Sequence, residues 1–258
     1  VKPRPVLLGT AGLLTFLAAW ELISRLGIVR QTSLPPASTT LARLAVELGR
    51  PELWTRTLET LAQIVAGTGL CLVIAVPLGL LIGRLPAVDA YSRTSIDFLR
   101  AVPGLALVPL FVMFIGARPE MVVGLATFVA LWPLLTQTID GARSVEPLAL
   151  EMARSFRLGG PRTFARIVLP SAAPYIVTGL RITLNVTLLV AIGTQLLVGA
   201  PGIGQQMAQA NANGDGLAIF ALSIWAGVIG VALNLALRWA EDRVMAWHKA
   251  STAQGGAA

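Results

Sequence analysis

Covalent chemistry has little to work with in this chain. Cys71 is the only cysteine and lies in an apolar run, so neither a disulfide framework nor a thiolate metal site can form within one chain. His248 is the only histidine and sits in the charged tail, with no Glu or His partner at metal-ligand spacing. There is no Ser/His/Asp set and no Gly-x-x-x-x-Gly-Lys-Ser/Thr phosphate loop. The expectation is a chain with no catalytic site, no metal and no ATP hydrolysis of its own. Its chemistry is then noncovalent, in a basic segment between apolar blocks and in polar side chains inside those blocks.

The basic segment runs from Ser144 to Pro170. Pro147 suits a first helical turn, and Leu148, Met152 and Phe156 recur every four residues as one apolar stripe. Ala149 and Ala153 form a stripe of small residues beside it, which would let another surface approach closely. Gly159-Gly160 is expected to end this helix and Pro161 to start a second, with Phe164, Ile167 and Val168 at i, i+3 and i+4. Pro170 is expected to break the second helix where the next apolar block begins. The product is a two-helix knob carrying four arginines, with Arg143 just before it as a fifth. Its bland alternative is a basic loop that merely obeys the positive-inside rule. A DNA-reading helix-turn-helix is disfavoured because both ends are tethered to apolar blocks, and no nucleic acid is expected as a partner.

Polar residues inside an apolar block tend to face a bundle interior or a water-filled path. In the block Ala172 to Val198, Thr178, Arg181, Asn185 and Gln195 fall within an arc of about 100°, and Thr183, Thr187 and Thr194 lie on the opposite face. The face with Arg181, Asn185 and Gln195 is the expected solute path, with Gln137 of the preceding block as a further candidate. Two other readings stay open: Arg181 snorkelling to the interface, and the amides bonding helix to helix. Trp132-Pro133 reads as a kink.

These residues need elements to hold them. Of 258 residues, 55% are apolar and 13% charged, a balance that a soluble domain rarely tolerates. Blocks of about the length that crosses a bilayer fall at 6–23, 61–82, 99–115, 121–139, 172–198 and 217–237. The expected fold class is therefore all-α, a polytopic membrane protein of six transmembrane helices in one domain over 1–258. The net charge is +7. With both ends cytoplasmic, thirteen basic residues lie inside and six outside, so the positive-inside rule favours that orientation. The first outer loop carries arginines among Glu47, Glu52 and Glu59, with Leu41, Leu44 and Leu48 at helical spacing after Pro35-Pro36. An amphipathic helix at the outer face is expected there. Met207 to Gly216 reads as a polar outer loop.

Within Ser144 to Pro170, Glu151, Ala153, Ile167, Leu169 and Pro170 stand in register with a motif of bacterial importer permeases: Glu-Ala-Ala, a glycine one turn later, then Ile-x-Leu-Pro. Met152 replaces the middle alanine. Arg157 occupies the glycine position, with Gly159 and Gly160 just beyond, which suggests a displaced turn. Pro77-Leu-Gly-Leu-Leu-Ile-Gly83, the run from Leu99 to Leu110, Trp132-Pro133 with Gln137-Thr138, Thr178-Gly-Leu-Arg181-Ile182 and Gly202-Ile-Gly204 extend the likeness. The chain thus resembles the ABC importer permeases of the taurine, aliphatic sulfonate, nitrate, bicarbonate and pyrimidine-precursor subgroup. Gln195 stands where many of them have Glu.

The resemblance implies a type I importer permease in the bacterial inner membrane, moving a small polar solute by alternating access. It implies docking of a cytoplasmic ABC ATPase, which binds the ATP and Mg, at Glu151, Ala153, Arg157, Gly159, Gly160, Ile167, Leu169 and Pro170. It also implies a second copy of the permease and an extracytoplasmic solute-binding protein as partners, in contact with membrane lipid. The rival is an ion-coupled secondary transporter, which would normally show acidic residues within its spans.

Overall fold

A computed structural model describes residues 3–244; Lys2, His248 and Lys249 lie outside the described residues, as do the side chains of residues 1–7 and so Arg4. The described chain is helical, in the order α1 (Pro3–Arg25), α2 (Ala37–Leu48), α3 (Pro51–Arg84), α4 (Pro86–Ala101), α5 (Val108–Ile115), α6 (Pro119–Arg143), α7 (Pro147–Ser155), α8 (Gly160–Thr163), α9 (Leu169–Val198), α10 (Ile203–Ala212) and α11 (Gly216–Val244), with no strand among the described residues. Proline punctuates the chain. Pro51, Pro86, Pro119 and Pro147 each occupy the first turn of a helix, where a missing N–H costs nothing. Gly116 and Gly199 end α5 and α9 with φ of 82° and 66°, a region open to glycine without steric penalty.

The core is the mutual packing of α3, α6 and α9. Apolar layers of Ile64, Met121, Leu125 and Val190, and then of Cys71, Ala75, Leu134 and Leu135, fill it. Helices of this kind lack a strong hydrophobic force between them in lipid, so close backbone approach has to hold them. Gly79 and Gly83 of α3 allow it. A Cβ on Gly79 would sit 2.6 Å from the Thr138 Cβ, and one on Gly83 would sit 2.6 Å from the Ala142 Cβ and 2.7 Å from the Ile139 carbonyl oxygen of α6.

Four segments are long and apolar enough to cross a membrane: Pro51–Arg84, Pro119–Arg143, the run beginning at Gly160 that contains α9, and Gly216–Arg243. A fifth appears if α4 and the Gly104–Ile115 segment count as one span bent by 80°. The expected unbroken span 99–115 is therefore corrected to an elbow at Val102-Pro103-Gly104, where proline and glycine interrupt the helix. The expected span 6–23 falls within α1, which touches little beyond α2 and exposes Leu13, Leu14 and Phe16.

The amphipathic helix expected after Pro35-Pro36 is α2. It lies against α11, tied by Arg43 to Asp215 at 2.9 Å, and Glu47 pairs within the same stretch with Arg43 and Arg50. The polar loop expected over Met207 to Gly216 is corrected: most of it is the end of α10, which buries Met207 and Ala210.

Gly83→Leu should lower the thermal unfolding midpoint of the detergent-purified protein, by overpacking worth about 1–3 kcal/mol. Gly69→Leu, at a position with nothing within 4 Å, should leave the midpoint unchanged. Equal midpoints for the two variants would refute the close-approach account.

Candidate functional site

The knob is built at one end of the bundle, between α6 and α9. Its inner side is pinned by a layer of Val145, Val168 and Ala172 packed on Leu80 of α3 and Ala142 of α6, with Leu150 and Ile167 against it. Its outer side keeps the predicted stripe: Leu148 and Met152 are each 54% exposed and Phe156 is 78% exposed. Phe164 and Leu169 add to that apolar surface. Leaving three large apolar side chains in a row facing solvent is unfavourable unless something covers them.

Charge frames the stripe. Arg143 is held by Asp89 of α4. Arg154, Arg157, Arg162 and Arg166 form no ion pair among the described residues, and neither does the exposed Glu151. The surface is thus apolar at its centre and predominantly positive at its rim.

The turn differs from the expectation. Gly159 has φ −64°, and both Gly159 and Gly160 stand in open space, so neither forms the helix stop. The stop is Arg157 itself, with φ 51°. Its N–H donates to the Arg154 carbonyl and the Leu158 N–H to the Ala153 carbonyl, both at 2.9 Å. That pair of bonds is the Schellman arrangement, which satisfies the last free carbonyls of α7. Arg157 therefore adopts the conformation a glycine would take at this place, at a steric cost of about 1–2 kcal/mol. The turn thus sits at residue 157 and is not displaced to Gly159-Gly160.

Ala153 is also reassigned. It is 2% exposed and lies within the protomer, so it seats α7 on its own chain and offers nothing to a visitor. Pro170 does not break the second helix. From Gly160 the helix runs through a π turn at Phe164–Val168 into α9, with the Leu169 N–H reaching the Phe164 carbonyl. A wide turn is a usual way for a helix to absorb a proline without stopping. Of the motif residues, Ile167 is half-buried in the anchoring layer, whereas Leu169 is exposed and Pro170 half-buried.

The polar residues of α9 do not share one open face. Arg181 pairs with Glu241 of α11, and Asn185 accepts a 2.7 Å hydrogen bond from the Asn234 amide of α11. Gln195 is fully buried on the other side: its amide N–H donates to Gln63 at 2.9 Å, and its oxygen accepts from the Gly204 N–H at 3.0 Å and the Thr60 hydroxyl at 3.2 Å. Gln195 thus locks α9 to α3 and to the first turn of α10, and its grouping with Arg181 and Asn185 is corrected. The reason is geometric, since on a central helix an arc of about 100° spans two neighbours. An amide suits this place because it both donates and accepts, whereas an ionised carboxylate only accepts. Gln137 packs across Gly179 of α9, and its amide bonds to no described residue. Thr183, Thr187 and Thr194 are buried in the core face of α9. The elbow of α4 was missed in the sequence; Pro103-Gly104 was its signal.

Comparison with known proteins follows the same segments. The model of a family described as binding-protein-dependent transport system inner membrane component matches residues 75–246. The bicarbonate transport system permease protein of Synechocystis sp. is 30% identical over 75% of this chain and 72% of its own. The taurine transport system permease protein of Escherichia coli is 27% identical over 95% of this chain and 91% of its own. Among solved structures, an inward-facing conformation of the MetNI methionine ABC transporter has a TM-score of 0.60 at 21% identity, covering 74% of this chain and 94% of that one, a likeness of fold.

Arg157→Gly should relieve about 1 kcal/mol at the turn, and Arg157→Val should add strain, because a β-branched residue tolerates positive φ worst. Amide exchange at Leu158, read by mass spectrometry, should slow in the first variant and quicken in the second. The reverse order would show that the turn is not set at residue 157.

Proposed function

The chain belongs to the family of binding-protein-dependent transport system inner membrane components, and on that premise we propose that it is the permease subunit of an ATP-driven importer. It is a multi-pass inner-membrane protein. We read it as a single permease domain with both termini cytoplasmic, so that the knob faces the cytoplasm. There the knob is the seat of an ABC ATPase, which binds the ATP and Mg that this chain does not. A second copy of the chain completes the path, and a solute-binding protein delivers the cargo on the opposite face, where α2 and α10 lie. The cargo is a small polar solute, and the relatives' names point to taurine- or bicarbonate-like anions.

One observation carries this reading: an apolar stripe of Leu148, Met152 and Phe156, left bare on the knob and ringed by arginines that form no ion pair among the described residues. A groove with an apolar floor and acidic rim would cover it. Motion of such a partner reaches the membrane because the knob is continuous with α9 and packed on α3 and α6. Coupling is then mechanical. Arg181, Asn185 and Gln137 remain candidates for contact with the solute, and Gln195 serves to hold α9 in place.

Phe156→Ala should weaken the complex with the ATPase by about tenfold, the loss of a well-exposed aromatic anchor, and abolish transport-coupled ATP hydrolysis. Co-purification and stimulated ATPase activity measure this; wild-type values in both would sink the docking assignment. Ala153→Asp is a poorer probe, since it places a carboxylate inside the protomer.

Orientation has its own test. Cys71, the one native cysteine, is buried, so Arg154→Cys gives a single reactive thiol. A membrane-impermeant maleimide should label it in inside-out vesicles and not in intact cells. Labelling in intact cells would place the knob outside.

A further inference from the structure

The elbow that interrupts the expected third span encloses a cleft of about 530 Å³ between α4 and α6, floored by Val186 of α9. Arg100 and Thr136 line one part, and Ala101, Val129 and Pro133 form an apolar wall. Trp132 also lines the cleft, and its indole nitrogen is buried with no hydrogen-bond partner among the described residues. A second cleft of about 260 Å³, carrying Arg93, Asp140 and Arg143, shares Asp97, Arg100 and Thr136 with it and extends towards the knob end of the bundle.

Depth makes this arrangement unusual. Thr136, Trp132 and Val129 lie about 10, 16 and 21 Å along α6 from its end at Arg143, at 1.5 Å per residue. Arg100 lines that stretch with its side chain 54% exposed, so its guanidinium is open to a ligand that enters the cleft. Asp97, one helical turn away, takes a single 3.1 Å contact from one terminal nitrogen and leaves the other donors of the fork unused. A helix broken at mid-depth beside unused donors is the arrangement expected where a transporter meets its solute.

We propose that the cleft between the α4 elbow and α6 binds a small organic oxyanion with a short aliphatic part, its anionic head on Arg100 and the Trp132 indole N–H and its carbon atoms against Ala101, Val129 and Pro133. The proposal rests on the permease reading and narrows its cargo. Arg100 and Trp132 line the same cleft, and a planar guanidinium suits an oxyanion in particular. The apolar wall favours cargo with methylenes, each worth about fourfold in affinity when buried, over an inorganic anion such as bicarbonate. The indole nitrogen is sealed from water in this conformation, so the ligand reaches it as the elbow flexes at Val102–Gly104.

The test uses the full chain, with 15N-labelled indoles, in phosphatidylcholine nanodiscs. Six tryptophans give six indole signals, and that of Trp132 is the one missing from Trp132→Phe. Propane-1-sulfonate should move the Trp132 signal saturably, sodium bicarbonate should bind at least tenfold more weakly, and Arg100→Gln should weaken the sulfonate at least tenfold with the other signals in place. Should Arg100→Gln scatter those signals, Ala101→Phe, which fills the apolar wall, takes its place with the same expectation. A stationary Trp132 signal, equal responses to the two salts, or an undiminished response in the variant overturns the proposal. So does a signal that is displaced in a parallel set of nanodiscs containing phosphatidylglycerol and then ignores the sulfonate, because the site would then belong to lipid headgroups. The titration needs no ATPase, so its failure is separate from that of the docking test at Phe156.

Discussion

Everything else in this molecule depends on how closely α3 can lie against α6. At Gly79 and Gly83 the two backbones come near enough that a single added carbon would strike Thr138, Ala142 or the Ile139 carbonyl. In lipid, where burying apolar surface gains little, such contact supplies dispersion that lipid tails do not reproduce. It also positions the end of α6 from which the knob departs. Leu80, beside those glycines, is part of the layer under Val145 and Val168. The packing that assembles the membrane core therefore also seats the surface offered to a partner.

Polar groups then add register to that packing. Gln195 and Gln63 join across α9 and α3, and Gln63 also donates to the Pro201 carbonyl at 2.9 Å. Thr60 accepts from the Ile203 N–H at 2.9 Å. Gly204 fits against the Ile192 carbonyl, where a Cβ would come within 2.4 Å. Each of these bonds is strengthened by its low-dielectric surroundings and would be costly to leave unmade. At the opposite end of the bundle, Arg181 and Asn185 tie α9 to α11 instead. One central helix is thus fastened to different neighbours at its two ends.

Much of this was legible from residue types and spacing. Apolar block lengths located α3, α6, α9 and α11, because hydrocarbon thickness leaves few alternatives. The alternation of arginine and glutamate with Leu41, Leu44 and Leu48 located α2, and the four-residue recurrence of Leu148, Met152 and Phe156 located the stripe. What escaped depended on tertiary context. A wheel projection groups Gln195 with Arg181 because it knows angles but not neighbours. Propensity assigns the helix stop to Gly159-Gly160, yet two backbone hydrogen bonds at Arg157 outweigh the steric cost of a left-handed arginine. A proline reads as a break at Pro170 and turned out to be absorbed by a π turn, whereas Pro103 did break its helix. Sequence alone does not tell these two outcomes apart.

The unbroken run from Gly160 through the π turn to Val198 has a further consequence. It makes the knob the short arm of a crank whose shaft is a single rod about 58 Å long. Turned about its middle by about 10°, a shaft of that length carries its far tip sideways by about 5 Å, close to the pitch of one helix turn. The stiffness of the rod sets how faithfully that swing is delivered. The π turn, where the regular four-residue hydrogen-bond ladder is interrupted, is the place where such a shaft would yield first.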